Sequence, residues 1–65
     1  MLVSTLLPNY NVLTMDGVNG KHLKIWEERN TNQYAVSLES LDFTEIFHFD
    51  SYDKAKEKYI ALLKG

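Results

Sequence analysis

The stretch from Phe43 to Leu63, FTEIFHFDSYDKAKEKYIALL, decides the fold. Its first part alternates bulky and polar side chains and is rich in phenylalanine, which favours a β-strand. Asp50 and Ser51 follow, and their side-chain oxygens can accept hydrogen bonds from the free N–H groups at the start of a helix. The remainder has apolar residues at helical spacing. The stretch therefore predicts a strand that leads directly into an amphipathic helix over 51–64.

The predicted helix has two chemically different sides, because successive residues are rotated by about 100°. The apolar stripe consists of Tyr52, Ala55, Tyr59, Leu62 and Leu63. The opposite side is rich in lysine and consists of Lys54, Glu57, Lys58, Ala61 and Lys64. We expect the apolar stripe to pack on a sheet and the lysine side to face solvent.

Upstream of Phe43, segments with the composition of strands alternate with turn residues. Asp16-Gly17 and Asn19-Gly20 are strong turn pairs, since both tolerate a positive φ. The predicted strands run over 10–15, 23–28, 34–39 and 43–49. Because the connections are short, strands that follow each other in sequence should pair antiparallel.

The sequence thus predicts the α+β class, with a three- or four-stranded antiparallel β-meander and one C-terminal α-helix packed across one face. Residues 1–65 are predicted to form a single small domain. Residues 1–9 are predicted to be an N-terminal arm or an edge strand, 10–49 the antiparallel strands, and 51–64 the helix.

Length and composition bound the function. A domain of 65 residues without cysteine has a small core and no disulfide to stabilise it. Association into a homodimer is one way in which such a small fold is stabilised. The opening Met1–Leu7 has no basic region and is too short to be a signal peptide or a membrane span. We therefore expect a soluble, cytoplasmic, acidic protein, with a pI of about 5.5.

Signals of catalysis are nearly absent from the chain. It has no glycine-rich phosphate loop, no nucleophile elbow and no cysteine nucleophile. His22 and His48 lie in predicted strands without the spacing of metal ligands. The sequence predicts a protein that is not an enzyme, with no catalytic residues, no metal site, no cofactor, no membrane contact and no small-molecule ligand.

Two features indicate binding to another protein. Between Glu27 and Asp53 there are seven acidic residues and a single basic one, Arg29. On the sheet face away from the helix, Trp26 is expected to lie exposed as a binding anchor. The alternative is that Met1–Leu7 folds over this face and covers it.

We therefore predict a small protein-binding module without catalytic activity, such as an inhibitor or adaptor encoded by a phage or another mobile element. Its partner would be another protein or a second copy of the chain. The predicted partner-binding residues are Trp26, Ile46, His48, Glu39, Asp42 and Glu45. The alternative is a sheet-type nucleic-acid-binding domain that uses Lys21, Lys24, Trp26 and Arg29.

The tail from residue 49 to residue 63, FDSYDKAKEKYIALL, resembles the end of the arm-type DNA-binding domain of phage-like tyrosine recombinases. Phe49, Ser51 and Ala55 are the main matches, and the tail covers about a quarter of the chain. The resemblance implies a three-stranded sheet followed by a helix. That family's sheet is basic, however, whereas predicted strands three and four are acidic here, so we do not assign the chain to it.

Overall fold

A computed structural model describes residues 10–28 and 30–64, which form one four-stranded sheet and one helix. The elements are β1 (Asn11–Val18), β2 (Lys21–Glu28), β3 (Gln33–Glu39), β4 (Thr44–Phe49) and α1 (Tyr52–Leu63). Neighbouring strands pair antiparallel in the order β1-β2-β3-β4. The predicted α+β meander with a C-terminal helix is confirmed, with four strands. The predicted arm or edge strand over residues 1–9 lies outside the described residues.

The connection between β1 and β2 is a two-residue turn. Asn19 has a φ of 50° and Gly20 a φ of 78°, the left-handed values that this kind of hairpin turn requires. Asp16 and Gly17 were predicted as a turn but continue β1. A single tight turn is enough to reverse the chain, and Asn19-Gly20 provides it.

The start of α1 agrees with the capping prediction. Ser51 has an extended backbone, and its Oγ accepts a hydrogen bond from the Lys54 N–H at 3.2 Å. Asp53 in the first turn places a negative charge near the positive end of the helix dipole. The helix ends at Leu63, and the Lys64 N–H donates to the Ile60 carbonyl.

The core lies between α1 and one face of β2, β3 and β4. Its buried residues are Leu23, Ile25, Val36, Leu38, Ala55 and Tyr59, with Tyr34, Phe49 and Leu62 packed against them. The ends of the predicted apolar stripe are less buried than expected, since Tyr52 is 40% and Leu63 37% exposed. Phe43 was predicted to begin the last strand, but it precedes β4 and is half-exposed.

One side-chain contact ties α1 to the outer strand β1. The Tyr59 hydroxyl donates a hydrogen bond to the carboxylate of Asp16. Burial of the ring, followed by the hydrogen bond and the negative charge of Asp16, raises the pKa of Tyr59. The residues of β1 are otherwise mostly exposed, because α1 packs over the other three strands.

Lys58 differs from its predicted place in solvent. Its Nζ lies 4.4 Å from the centre of the Phe47 ring, a cation–π contact, and the side chain is half-buried. Its aliphatic stem therefore covers part of β4 while the ammonium group stays near water.

In the described part of the chain, no helix is long and apolar enough to cross a membrane.

Candidate functional site

Trp26 lies on the face of the sheet opposite α1, which we call the second face. The expectation that it would be exposed is wrong, because only 4% of Trp26 is accessible. Its Nε1–H donates to the Oγ of Ser37 at 2.8 Å, and Ser37 is fully buried. Trp26 is therefore a buried residue whose polar atom is satisfied within the sheet, and it offers no surface to a partner directly.

Part of the second face is covered by the chain just before β1. The ring of Tyr10 packs edge-on against the ring of His48, with centroids 6.4 Å apart. These residues belong to opposite edges of the sheet, since β1 and β4 are separated by roughly 14 Å. The Tyr10 side chain thus lies over the second face. The alternative that Met1–Leu7 covers this face concerns residues outside the described part of the chain.

The acidic residues predicted to bind a partner are dispersed. Glu39 lies on the second face and forms an ion pair with Lys24 at 3.4 Å. Asp42 lies in the exposed connection between β3 and β4. Glu45 pairs with Leu38 and therefore lies on the α1 side of the sheet.

Three of the six predicted residues come together on β4. Ile46 and His48 point to the second face, since they pair with Ser37 and Ala35, whereas Glu45 points to the α1 side. Ile46 is 36% exposed, and the other two are also exposed. The sequence identified these residues one by one. What they share is their position on β4, which is an edge strand of the sheet.

The hydrogen-bonding pattern shows which groups of β4 point outward. The two-residue turn makes Val18 and Lys21 a hydrogen-bonded pair, and the alternation of antiparallel ladders carries this pattern across the sheet. The backbone N–H and C=O groups of Thr44, Ile46 and His48 consequently point away from β3. Among the residues that the structure describes, no strand pairs with this edge.

An open groove runs between α1 and β4, with a volume of about 480 Å³. It is lined by Phe49, Lys54, Glu57, Lys58 and Ala61. The aromatic ring and the alanine give it an apolar part, and the charged side chains have both signs. This groove was not predicted from the sequence, although four of its five lining residues are on the side of the helix predicted to face solvent.

The opposite edge, β1, is longer but irregular. Val12, Leu13 and Met15 are 40%, 44% and 63% exposed. The register shifts between Val12 and Thr14, which marks a β-bulge. A bulge interrupts the spacing of the outward backbone groups and is one of the ways in which proteins protect an exposed edge.

The residues proposed for nucleic-acid binding do not form one exposed surface. Lys24 is bound to Glu39, and Trp26 is buried. The Nζ of Lys21 lies 5.6 Å from the ring centre of Phe43. Arg29 is outside the described residues.

In the described part of the chain, no three histidine or carboxylate side chains converge in a way that could hold a metal ion. Every buried side-chain nitrogen or oxygen there has a hydrogen-bond partner. No protein-family model, curated protein or solved structure matches this chain. Function is therefore inferred from the geometry of this chain alone.

Proposed function

We propose that this protein is a small binding module without catalytic activity, and that β4 is the edge at which it binds another polypeptide. The observation that carries this proposal is the combination found on β4. Outward backbone groups of Thr44, Ile46 and His48 stand beside exposed side chains on both faces of one regular strand. An extended segment can satisfy such an edge by adding one more strand to the sheet.

The charge near β4 favours a protein over a nucleic acid. From Ser37 to Asp50 the chain has four acidic residues and no lysine or arginine. Phosphate groups would be repelled there, whereas a polypeptide strand can pair with the edge through its backbone groups without bringing a negative charge at every unit.

The regular geometry of β4 favours it over β1. Its six residues pair with β3 without a register shift, so its outward groups recur at every second residue. The bulge near Leu13 breaks this recurrence in β1. A protein that covers a partner's strand in this way, and catalyses no reaction, would act as an inhibitor or an adaptor. Its origin in a phage or another mobile element stays a prediction.

Site-specific photo-crosslinking tests the proposal. A photoreactive amino acid is placed at His48 on β4 or, as the matched control, at Met15 on β1, and the protein is irradiated in its native cell. We expect specific adducts from position 48 and few from position 15. The mass of each adduct shows whether the captured chain is a second copy or a different protein. Adducts from position 15 alone, or from neither position, would overturn the proposal.

A further inference from the structure

We propose that the strand that binds β4 is β4 of a second copy of this chain. This inference rests on the proposed function and names its partner. Two copies related by a two-fold axis through the centre of β4 would join their sheets into one continuous antiparallel sheet, with both helices on the same side. Such self-complementary two-fold contacts are the commonest way in which identical chains associate.

The register of β4 is compatible with this symmetry. An axis at Ile46 places Ile46 opposite the partner's Ile46, and Thr44 opposite the partner's His48. These are the residues whose backbone groups point outward, so their N–H and C=O groups face each other without a shift. The pairing would form roughly six backbone hydrogen bonds and would bring two β-branched side chains together on the second face.

Charge is complementary on the other side of the sheet. The same register places Glu45 opposite the partner's Phe47, in the closer, non-hydrogen-bonded type of pair. Within each chain, the Lys58 Nζ lies 4.4 Å from the centre of the Phe47 ring. Glu45 of each copy would thus approach the ammonium group of the partner's Lys58. The symmetry creates this opposite-charge contact twice.

The groove beside β4 supplies the additional surface that a dimer needs. An edge of six residues is about 20 Å long, which by itself buries less than the roughly 1,600 Å² typical of stable interfaces. The groove lies between this edge and α1, and Lys54, Glu57 and Ala61 line it on the helix side. In the proposed dimer these sides of the two helices face each other across the axis, and each side carries charges of both signs.

Self-pairing through β1 is disfavoured by the same reasoning. The regular part of that strand has its outward backbone groups at Met15 and Gly17, on either side of Asp16. A two-fold axis at Asp16 would place the Asp16 residues of the two copies directly opposite each other inside the pairing, where like charges are destabilising. An axis at Met15 would instead bring the bulge between Val12 and Thr14 of each copy into the pairing.

Sedimentation equilibrium from low micromolar to several hundred micromolar protein provides the first test. We expect the wild type to dimerise, Ile46→Lys to weaken the dimer strongly, and the control Met15→Lys on β1 to leave it unchanged. Circular dichroism establishes that each variant is folded. A wild type that stays monomeric over this range, or a dimer that Met15→Lys disrupts and Ile46→Lys does not, would overturn the inference.

A charge exchange tests the register itself. Glu45→Lys and Lys58→Glu should each raise the dimer dissociation constant by roughly tenfold, because each variant creates like-charge contacts at two symmetric positions. The double variant Glu45→Lys/Lys58→Glu should restore most of the affinity. If the double variant is as weak as the single ones, the proposed register is wrong.

The two proposals fail in different ways. A monomeric protein whose position 48 crosslinks to a different protein would refute the second copy and support β4 as the binding edge. A protein that shows no adducts from position 48 would refute both.

Discussion

Replacing Tyr59 with phenylalanine removes one hydroxyl group and leaves the packing of the ring intact. The ring is 4% exposed in the core, and the hydroxyl donates to Asp16 on β1. This hydrogen bond joins a side chain of α1 to a side chain of the outer strand β1. Tyr59→Phe therefore measures how firmly β1 is attached to the rest of the domain.

The expected loss follows from the nature of the acceptor. Hydrogen bonds to charged groups contribute about 1.5–3 kcal/mol, and the exposure of Asp16 favours the lower end, since water can replace the lost partner. We expect Tyr59→Phe to reduce the free energy of unfolding by about 1.5 kcal/mol. A domain of 65 residues has a total of only about 3–10 kcal/mol. Tyr59→Ala, which also empties part of the core, should lose about 3–5 kcal/mol and could unfold the protein.

Urea unfolding followed by circular dichroism measures the effect. With a slope of about 1 kcal/mol per molar urea, the midpoint for Tyr59→Phe should fall by about 1.5 M. Tyr52→Phe is the matched control, because Tyr52 is on the same helix and is 40% exposed. Equal midpoints for the wild type and Tyr59→Phe would show that the hydroxyl contributes nothing and would refute this account of how β1 is held.

Further predictions follow from other contacts. Below about pH 10 the wild type should keep its full stability advantage over Tyr59→Phe, and the advantage should shrink as the pH rises further. Tyr59 has a raised pKa in the folded state, so the unfolded chain loses its proton first. Urea titrations at several alkaline pH values measure this. Ser37→Ala should cost about 1–3 kcal/mol in a thermal melt, since it leaves the Trp26 N–H buried without an acceptor; a melting temperature unchanged from wild type would contradict this. Lys58→Ala should cost about 0.5–1 kcal/mol and exposed Lys56→Ala almost nothing, and equal urea midpoints would contradict the Phe47 contact. Oligonucleotides should show no mobility shift at moderate salt, and tight, salt-sensitive binding would instead favour the nucleic-acid alternative.

The local features of the fold were predictable because each depends on a few adjacent residues. Ser51 caps α1 because its hydroxyl is next to the N–H groups that need it, and Asn19-Gly20 turns the chain because both residues accept a positive φ. Strand alternation likewise assigned Leu23 and Ile25 to the same side of the sheet, and the structure places both in the core.

Two errors are local, since Asp16 and Gly17 continue β1 and Phe43 precedes β4. The others concern contacts between residues distant in sequence. Periodicity placed Trp26 on the second face but could not show that Ser37, 11 residues away, would accept its N–H, or that the face would be covered. The position of Lys58 follows from the angle at which α1 crosses β4, which no sequence pattern specifies. For the site, the sequence identified Ile46 and His48. The predicted meander, in which each strand pairs with its neighbour in sequence, implies that their strand lies at an edge, and the structure has this strand order.

The order of the strands has a consequence for how the chain folds. Each strand pairs with its neighbour in sequence, so the sheet can grow as a series of local hairpins with little loop-closure entropy. The bond from Tyr59 to Asp16 is different, because it joins residues 43 positions apart. We expect it to form after the folding transition state. Loss of the Tyr59 hydroxyl should then accelerate unfolding and leave the folding rate nearly unchanged.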